Sequence, residues 1–411
     1  MKAPAASQAQ TIAQLVQEVM ARDRRRLLSA LTVRLRNFDL AEEVLQEAVL
    51  SAMSHWGRSG PPASPEGWLL RVALRRAIDA YRREGTASRN KAAMEVLMRE
   101  EAEVPEMGVI PDERLRLIFT CCHPALEPKT RVALTLRTLC GLSTAQVAAV
   151  YLDAEPTMGQ RLSRARAKIT AAGIPFVVPG PEDWAERLNS VLTVIYLVFT
   201  AGYTAGAAVG HDLCEEAIFL ARLVNALRPG EAEVEGCLAL LRLTHGRSRA
   251  RVDATGCTVP PGRQDQGLWD QSALAEGRQV LEMAMARGSP GPFQIKAAIA
   301  ACQARPEGPD WPQIAALYRA LLRWEPSAPV ALAQAVARME CGEVAAALAE
   351  IETLGQILSD YQPFHAARAE ALRRLGRLDE AALAFDRALA FAILPEDRAF
   401  LARARASLPG P

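Results

Sequence analysis

The segment FDLAEEVLQEAVLSAMSHW, Phe38 to Trp56, repeats its apolar residues at spacings of three and four. Leu40, Val44, Leu45, Ala48, Val49, Ala52 and Trp56 fall on one stripe, which a helix buries along one side. The same period recurs along most of the chain, while β-branched runs of period two are scarce. The expected fold class is all-α. At 411 residues the chain exceeds what one core usually serves, so several helical domains are expected. Hydrophobic residues make up 50% of it, enough to fill those cores.

Glycine and proline divide the helical material. GRSGPPASPEG (Gly57–Gly67) reads as a loop inside a first domain, 10–85. A polar connector follows at 86–111, broken by Pro105 and Pro111. A second helical block, 112–173, ends at the breaker-rich connector 174–183, and a helical extension, 184–290, leads into a repetitive segment, 291–411. There Gly342 aligns with Gly376, Ala347 with Ala381, and Ile351 with Phe385, at an offset of 34 residues. That spacing of turn glycine, small alanine and large apolar residue resembles tetratricopeptide helix pairs, which stack into a solenoid.

Charge is balanced overall, with 48 basic and 47 acidic residues, and uneven along the chain. Residues 1–175 hold 25 Lys/Arg against 19 Asp/Glu; the remainder holds 23 against 28. A nucleic-acid partner is therefore expected for the front part only. The eight cysteines show no CxxC pair, and no secretory signal precedes them, so they read as reduced thiols of a cytoplasmic protein. The most apolar run, VLTVIYLVF (Val191–Phe199), is about half of a bilayer span, and no membrane role is expected.

Two basic helices carry the functional signal. In LSTAQVAAVYLDAEPTMGQRLSRARAKI (Leu142–Ile169), Ser143 can cap one short helix and Thr157 a second. Met158, Leu162, Ala165 and Ile169 make the second helix's apolar stripe, and Arg161, Arg164 and Lys168 recur on another face, with Arg166 adding charge. Two short helices, a tight turn and a basic second helix form the helix-turn-helix pattern. Thr157, Gln160 and Arg161 can reach base edges from its polar start, while later cations meet phosphate. In WLLRVALRRAIDAYRRE, Arg71, Arg75, Arg76, Arg82 and Arg83 accompany Trp68 and Tyr81, cations for phosphate and aromatics for unstacked bases.

Residues 10–173 resemble a bacterial RNA polymerase sigma factor of the extracytoplasmic-function class. FDLAEEVLQEAVLSAMSHW resembles the region-2 helix that docks on core RNA polymerase, RVALRRAIDAYRR the helix that reads and melts the −10 element, and Leu142–Ile169 region 4, which reads the −35 element of promoter DNA. DERLRLIFTCCHPALEPKTRVALTLRTLCGLSTAQVA, TVIYLVFTAGYTAG, DLCEEAIFLARL and FHAARAEALRRLGR resemble the subgroup fused to a tetratricopeptide-like C-terminal domain. The resemblance implies polymerase contacts at Asp39, Glu42, Glu43, Gln46 and Glu47. It implies −10 contacts at Arg75, Arg76, Asp79, Tyr81, Arg82 and Arg83, and −35 contacts at Thr157, Gln160, Arg161, Arg164 and Lys168. No cofactor, catalysis or metal is implied, and the C-terminal domain is expected to regulate in cis, through the sigma half or through a protein partner.

Cys121, Cys122 and His123 invite a metal or thiol reading. Adjacent helical positions point about 100° apart, so the three cannot easily share one ion, and the segment reads as a helix end closed by Pro124. An enzyme built on this cluster or on His211–Asp212 lacks any nucleophile–base spacing or phosphate loop. The alternative to a sigma factor is a helix-turn-helix regulator with a ligand- or partner-sensing solenoid. That reading leaves the acidic helix and the arginine-rich helix without a task.

Overall fold

The computed structural model describes residues 5–83, 95–99, 101, 112–204 and 207–408, with backbone alone at 5–10 and 207–212. Among them the secondary structure is helical, apart from one isolated antiparallel bridge between Val252 and Thr258. The chain forms two compact units, Met1–Val198 and Phe199–Pro411.

In the first unit, α1 (Ala5–Leu35), α2 (Phe38–Ser59) and α3 (Pro65–Arg83) make a three-helix core. Asn37 caps α2, its side-chain oxygen accepting from the amides of Asp39 and Leu40 at 3.1 Å. The expected stripe of α2 is buried at Val44, Leu45, Ala48, Ala52 and Trp56, with Leu40 and Val49 half-buried at its margin. Phe38 and Ala41 extend it. Trp68, weighed above as a base-stacking residue, instead packs edge-on against Trp56 at 5.4 Å and stacks on His55 at 5.6 Å. An indole one turn into a helix that borders this core recovers more by burial than by waiting in solvent.

The second block holds α4 (Arg114–Cys121), α5 (Pro128–Thr138), α6 (Thr144–Tyr151) and α7 (Glu155–Ala171), with α1 packed against α4 and α5. On α4 the buried residues are not a single stripe but the run Leu117–Cys121, with Leu115 only half-buried. The helix is enclosed from several sides: the Thr120 hydroxyl donates to the Pro175 carbonyl at 3.1 Å, and Arg187 Nη2 to the Phe119 carbonyl at 2.5 Å. Arg187 lies on α8 (Trp184–Thr204), whose Trp184 ring sits 5.5 Å from Phe119. The expected connector at 174–183 is therefore followed by a helix whose first turns belong to the first unit. The expected connector at 86–111 lies largely outside the described residues.

The second unit continues through α9 (Ala207–Leu227), α10 (Ala232–His245), α11 (Gln271–Ala286) and α12 (Pro292–Gln303). α10 packs on α9, α11 and α12. It approaches α12 so closely that a Cβ on Gly236 would lie 2.7 Å from the Gln294 amide nitrogen. The Glu233 carboxylate seals that junction, accepting from the amides of Phe293 at 2.9 Å and Gln294 at 3.2 Å. Such pairing satisfies donors that a helix start leaves open.

From there α13 (Trp311–Leu321), α14 (Ala328–Glu340), α15 (Val344–Thr353), α16 (Gln362–Arg374), α17 (Leu378–Phe391) and α18 (Pro395–Ala406) pack each on the next. Gly342 (φ 95°) and Gly376 (φ 75°) make the turns between α14 and α15 and between α16 and α17. Ala347, Ala381, Ile351 and Phe385 are all buried in one core at the expected offset. The loop at 253–258 ties back to α18: Thr258 Oγ1 lies 2.6 Å from Asp397, and Arg403 pairs with Asp253 at 3.4 Å.

Candidate functional site

The helix-turn-helix is built locally. Ser143 accepts from the Gln146 amide at 3.1 Å while the Gln146 side chain accepts from the Ser143 amide at 2.9 Å, a reciprocal cap on α6. The turn passes through Leu152, exposed and left-handed at φ 53°. The cap of α7 is Ala154 rather than Thr157, with Pro156 in the first turn. Proline needs no amide partner there and its φ suits the helix, so α7 starts three residues earlier than a threonine cap would allow. Thr157 thus presents its side chain from inside the first turn.

Thr157, Gln160, Arg164 and Lys168 are exposed on α7. Arg164 donates to Gln160 Oε1 at 3.1 Å. Arg161 differs from them: half-buried, it pairs with Asp153 at 2.8 Å and lies 5.6 Å over the Tyr151 ring. It is held by the motif's own turn. Burial raises the Tyr151 hydroxyl to a pKa of about 12, and that hydroxyl donates to the Lys129 carbonyl at 2.8 Å.

On α3, Arg75, Arg76, Asp79, Arg82 and Arg83 are exposed along one side, and Tyr81 is half-buried against the core. Arg75 bonds Glu101 at 2.7 Å, Arg76 reaches Glu47 at 3.7 Å, and Arg82 reaches Asp79 at 3.6 Å. These pairs are solvated and weak, leaving the cations available to stronger anions. The two basic helices keep their exposed faces within one compact unit.

The acids of α2 divide. Glu43 and Gln46 are exposed, and Leu50 and Met53 carry that face onward as exposed apolar side chains, 67% and 47% accessible. Glu42 is half-buried and turns toward α5 and α7, and Asp39, itself exposed, also faces α7. Glu42 bonds Arg137 of α5 at 2.7 Å and lies 3.5 Å from Arg166 of α7. Arg166 also pairs with Asp39, and its guanidinium sits 5.7 Å above the Phe38 ring, which lies 5.7 Å from the Phe176 ring. A cleft of about 120 Å³ opens beside these groups, bounded also by Thr144, Gly159 and Ser163. Burial pushes the Arg137 guanidinium pKa down from its ordinary value, and the Glu42 charge opposes that shift. Four of these residues, Arg137, Arg166, Phe38 and Phe176, were not among the expected site residues, nor were Leu50 and Met53.

Cys121 ends α4 and Cys122 caps it. Both are fully buried, and burial pushes the Cys122 thiol up to about 12 although the Thr135 hydroxyl opposes it. A thiol so disfavoured as thiolate is a poor nucleophile at neutral pH. His123 Nδ1 is engaged locally, accepting from the Ala125 amide at 3.2 Å. The side chains of His211 and Asp212 lie outside the described residues.

Comparison with known proteins agrees with this geometry. The model of sigma-70 region 2 matches residues 19–86, and that of sigma-70 region 4 matches residues 116–169. A family of unknown function (DUF6596) matches residues 187–285. No solved structure matches the chain. A sigma-70 region 2 bundle followed by a sigma-70 region 4 helix-turn-helix defines a sigma factor of the extracytoplasmic-function type, here with a helical C-terminal domain. The chain is also similar to the ECF RNA polymerase sigma factor SigK of Mycobacterium sp. (strain KMS), 32% identical over 129 residues, 31% of this chain and 66% of that protein. Over nearly its whole length the chain belongs to one family with an uncharacterised protein of Rhizobium meliloti (strain 1021), 44% identical over 385 residues and 91% of each. Among the described residues no helix is long and apolar enough to cross a membrane.

Proposed function

We propose that this sigma factor directs core RNA polymerase to promoters through two DNA-reading helices and one docking helix. The −10 reader is α3, through Arg75, Arg76, Asp79, Tyr81, Arg82 and Arg83. The −35 reader is α7, through Thr157, Gln160, Arg164 and Lys168, with Arg161 bracing the turn. Docking on polymerase uses α2, where Glu43, Gln46 and Glu47 border the exposed Leu50 and Met53, and engages Asp39 and Glu42 once they are free. The observation that carries this reading is the pair of region matches falling on two helices with exposed cationic faces. Neither short reader alone supplies tight binding, and holding both on one chain raises effective concentration at the second site.

The C-terminal domain acts in this reading as an in-cis regulator, with tetratricopeptide-like hairpins from 291 onward that present a surface to a partner or to the sigma half. Its support is the repeated turn glycine and buried alanine at Gly342/Gly376 and Ala347/Ala381, and its acidic balance. Run-off transcription with core polymerase and genomic promoter fragments tests the function. A start-site-specific transcript that depends on the added chain is expected; its absence from both the full chain and a chain truncated after Thr204 rejects the proposal.

A further inference from the structure

The second unit holds a buried guanidinium with no carboxylate partner among the described residues. Arg247 follows α10 and leads into the short helical turn Ser248–Ala250, and only 4% of the residue is exposed. Its Nη2 donates to Gln303 Oε1 at 2.9 Å, while Nε and Nη1 are buried without a hydrogen-bond partner among the described residues. Acids on the adjoining segments are committed elsewhere. Asp253 accepts from the amides of Thr255 and Cys257, Asp270 caps α11 through the Ala273 amide at 2.9 Å, and Asp310 accepts from the Gln313 amide at 3.1 Å. Burial pushes the Arg247 pKa down and the Tyr203 hydroxyl opposes that shift, but a guanidinium in a protein keeps its proton, so the charge stays. A buried charge without a counter-charge is strongly disfavoured.

The surroundings add further donors. The Asp270 amide donates to the Gly246 carbonyl at 2.8 Å, which sets Trp269 and Arg247 at neighbouring backbone positions. The Trp269 indole nitrogen is likewise buried without a partner among the described residues. Arg251 holds its guanidinium 3.8 Å from the Tyr203 ring centre and donates to the Tyr203 carbonyl. Both guanidiniums act on the Tyr203 hydroxyl, drawing its pKa down against the larger effect of burial.

We infer that Arg247, with Trp269 and Arg251 beside it, forms an anion site of the C-terminal domain that receives a single phosphate or carboxylate group of a small ligand. Gln303 Oε1 is a neutral acceptor, and an oxyanion that displaces it meets the fork of Nη1 and Nη2 with charge-assisted hydrogen bonds. Gln303 ends α12 and is half-buried, so it connects Arg247 to the surface, and the ligand enters by moving its carboxamide aside. One guanidinium edge enclosed in protein takes one oxyanion group, not an extended polyanion such as DNA. The inference does not depend on the promoter-reading roles proposed above.

The test is isothermal titration calorimetry of the full chain with inorganic phosphate and with acetate, at fixed ionic strength made up with chloride. Saturable single-site heat is expected, and the probe that gives it identifies the headgroup. Arg247→Met should weaken that binding roughly tenfold or more, the loss of a charge-assisted hydrogen bond. Arg249→Ala, at an exposed arginine close by in the chain, should leave it unchanged. Gln303→Leu removes the competing acceptor and should tighten it. Saturable heat that persists undiminished in Arg247→Met marks an adventitious ion only and overturns the site, as does the lack of saturable heat with both probes. If Arg247→Met does not fold, Gln303→Leu decides, and binding no tighter than wild type overturns the inference.

Discussion

Gly159 and Gly236 show how two glycines in helices can carry opposite consequences. A Cβ on Gly159 would meet only Thr144 Cγ2, at 3.9 Å, an ordinary contact. Gly159→Ala should therefore stabilise α7 by about 1 kcal/mol, the usual propensity difference, read as a raised denaturation midpoint. Gly236 instead sits where two backbones meet, and Gly236→Ala should destabilise the chain by about 1–3 kcal/mol through overpacking against Gln294. Asp253 supplies a pH prediction. The Thr255 hydroxyl and the Cys257 amide hold its carboxyl down at about 2, against an ordinary 3.8. Because the folded pKa lies below the unfolded one, its stabilising contribution is present above pH 4 and is lost as pH falls from about 4 to 2. Thermal unfolding across that range should be less acid-sensitive in Asp253→Asn than in wild type. At this scale the sequence was read well where period alone decides, as with Met158, Leu162, Ala165 and Ile169, all buried. It was read less well for Arg166. That residue borders the buried stripe, four after Leu162 and three before Ile169, a signal that it faces another protein element; counting it only as added charge missed this.

The helix-turn-helix was legible because its determinants are local: a capping box, a tight turn and an apolar stripe lie within thirty residues. The start of α7 was misplaced because Pro156 and the left-handed Leu152 together let the helix begin at Glu155, a combination no single propensity reveals. That shift alters what individual side chains on the element do. Gln160→Ala should cost about 1–3 kcal/mol at one −35 base position, measured as binding to promoter variants by the polymerase-bound factor. Arg164→Ala and Lys168→Ala should weaken all sequences alike and reduce the salt dependence of binding, as expected of phosphate contacts. For Arg161→Ala, the Asp153 pair and the Tyr151 contact imply that turn rigidity is lost before any base contact. Its signature is a lower unfolding midpoint for the region-4 domain with a uniform affinity loss. Loss confined to one base position would instead return Arg161 to the role of base reader. The α2 acids show why long-range pairing was hidden: Glu42 and Arg137 are 95 residues apart, and neither helix's own pattern announces its partner.

The division of the whole chain follows contacts more closely than composition. The breaker-rich stretch at 174–183 is where composition alone ends the sigma half, yet Trp184 and Arg187 beyond it close the region-4 core around Phe119. Arg187 is itself buried, and burial pushes its pKa down, so its hydrogen bond to the Phe119 carbonyl is part of what makes its position tolerable. A chain cut after Pro179 removes both residues and bares the Phe119 ring, whereas one cut after Thr204 keeps α8 whole. The shorter fragment should unfold at a lower temperature and expose apolar surface to a hydrophobic dye, while the longer one should retain the full chain's transition for the first unit. Equal melting of the two fragments would show that α8 contributes nothing to region 4. The comparison also separates two causes of lost transcription on truncation. Activity lost at Pro179 but kept at Thr204 reflects a broken region-4 core, and activity that rises at Thr204 reflects release from the C-terminal domain.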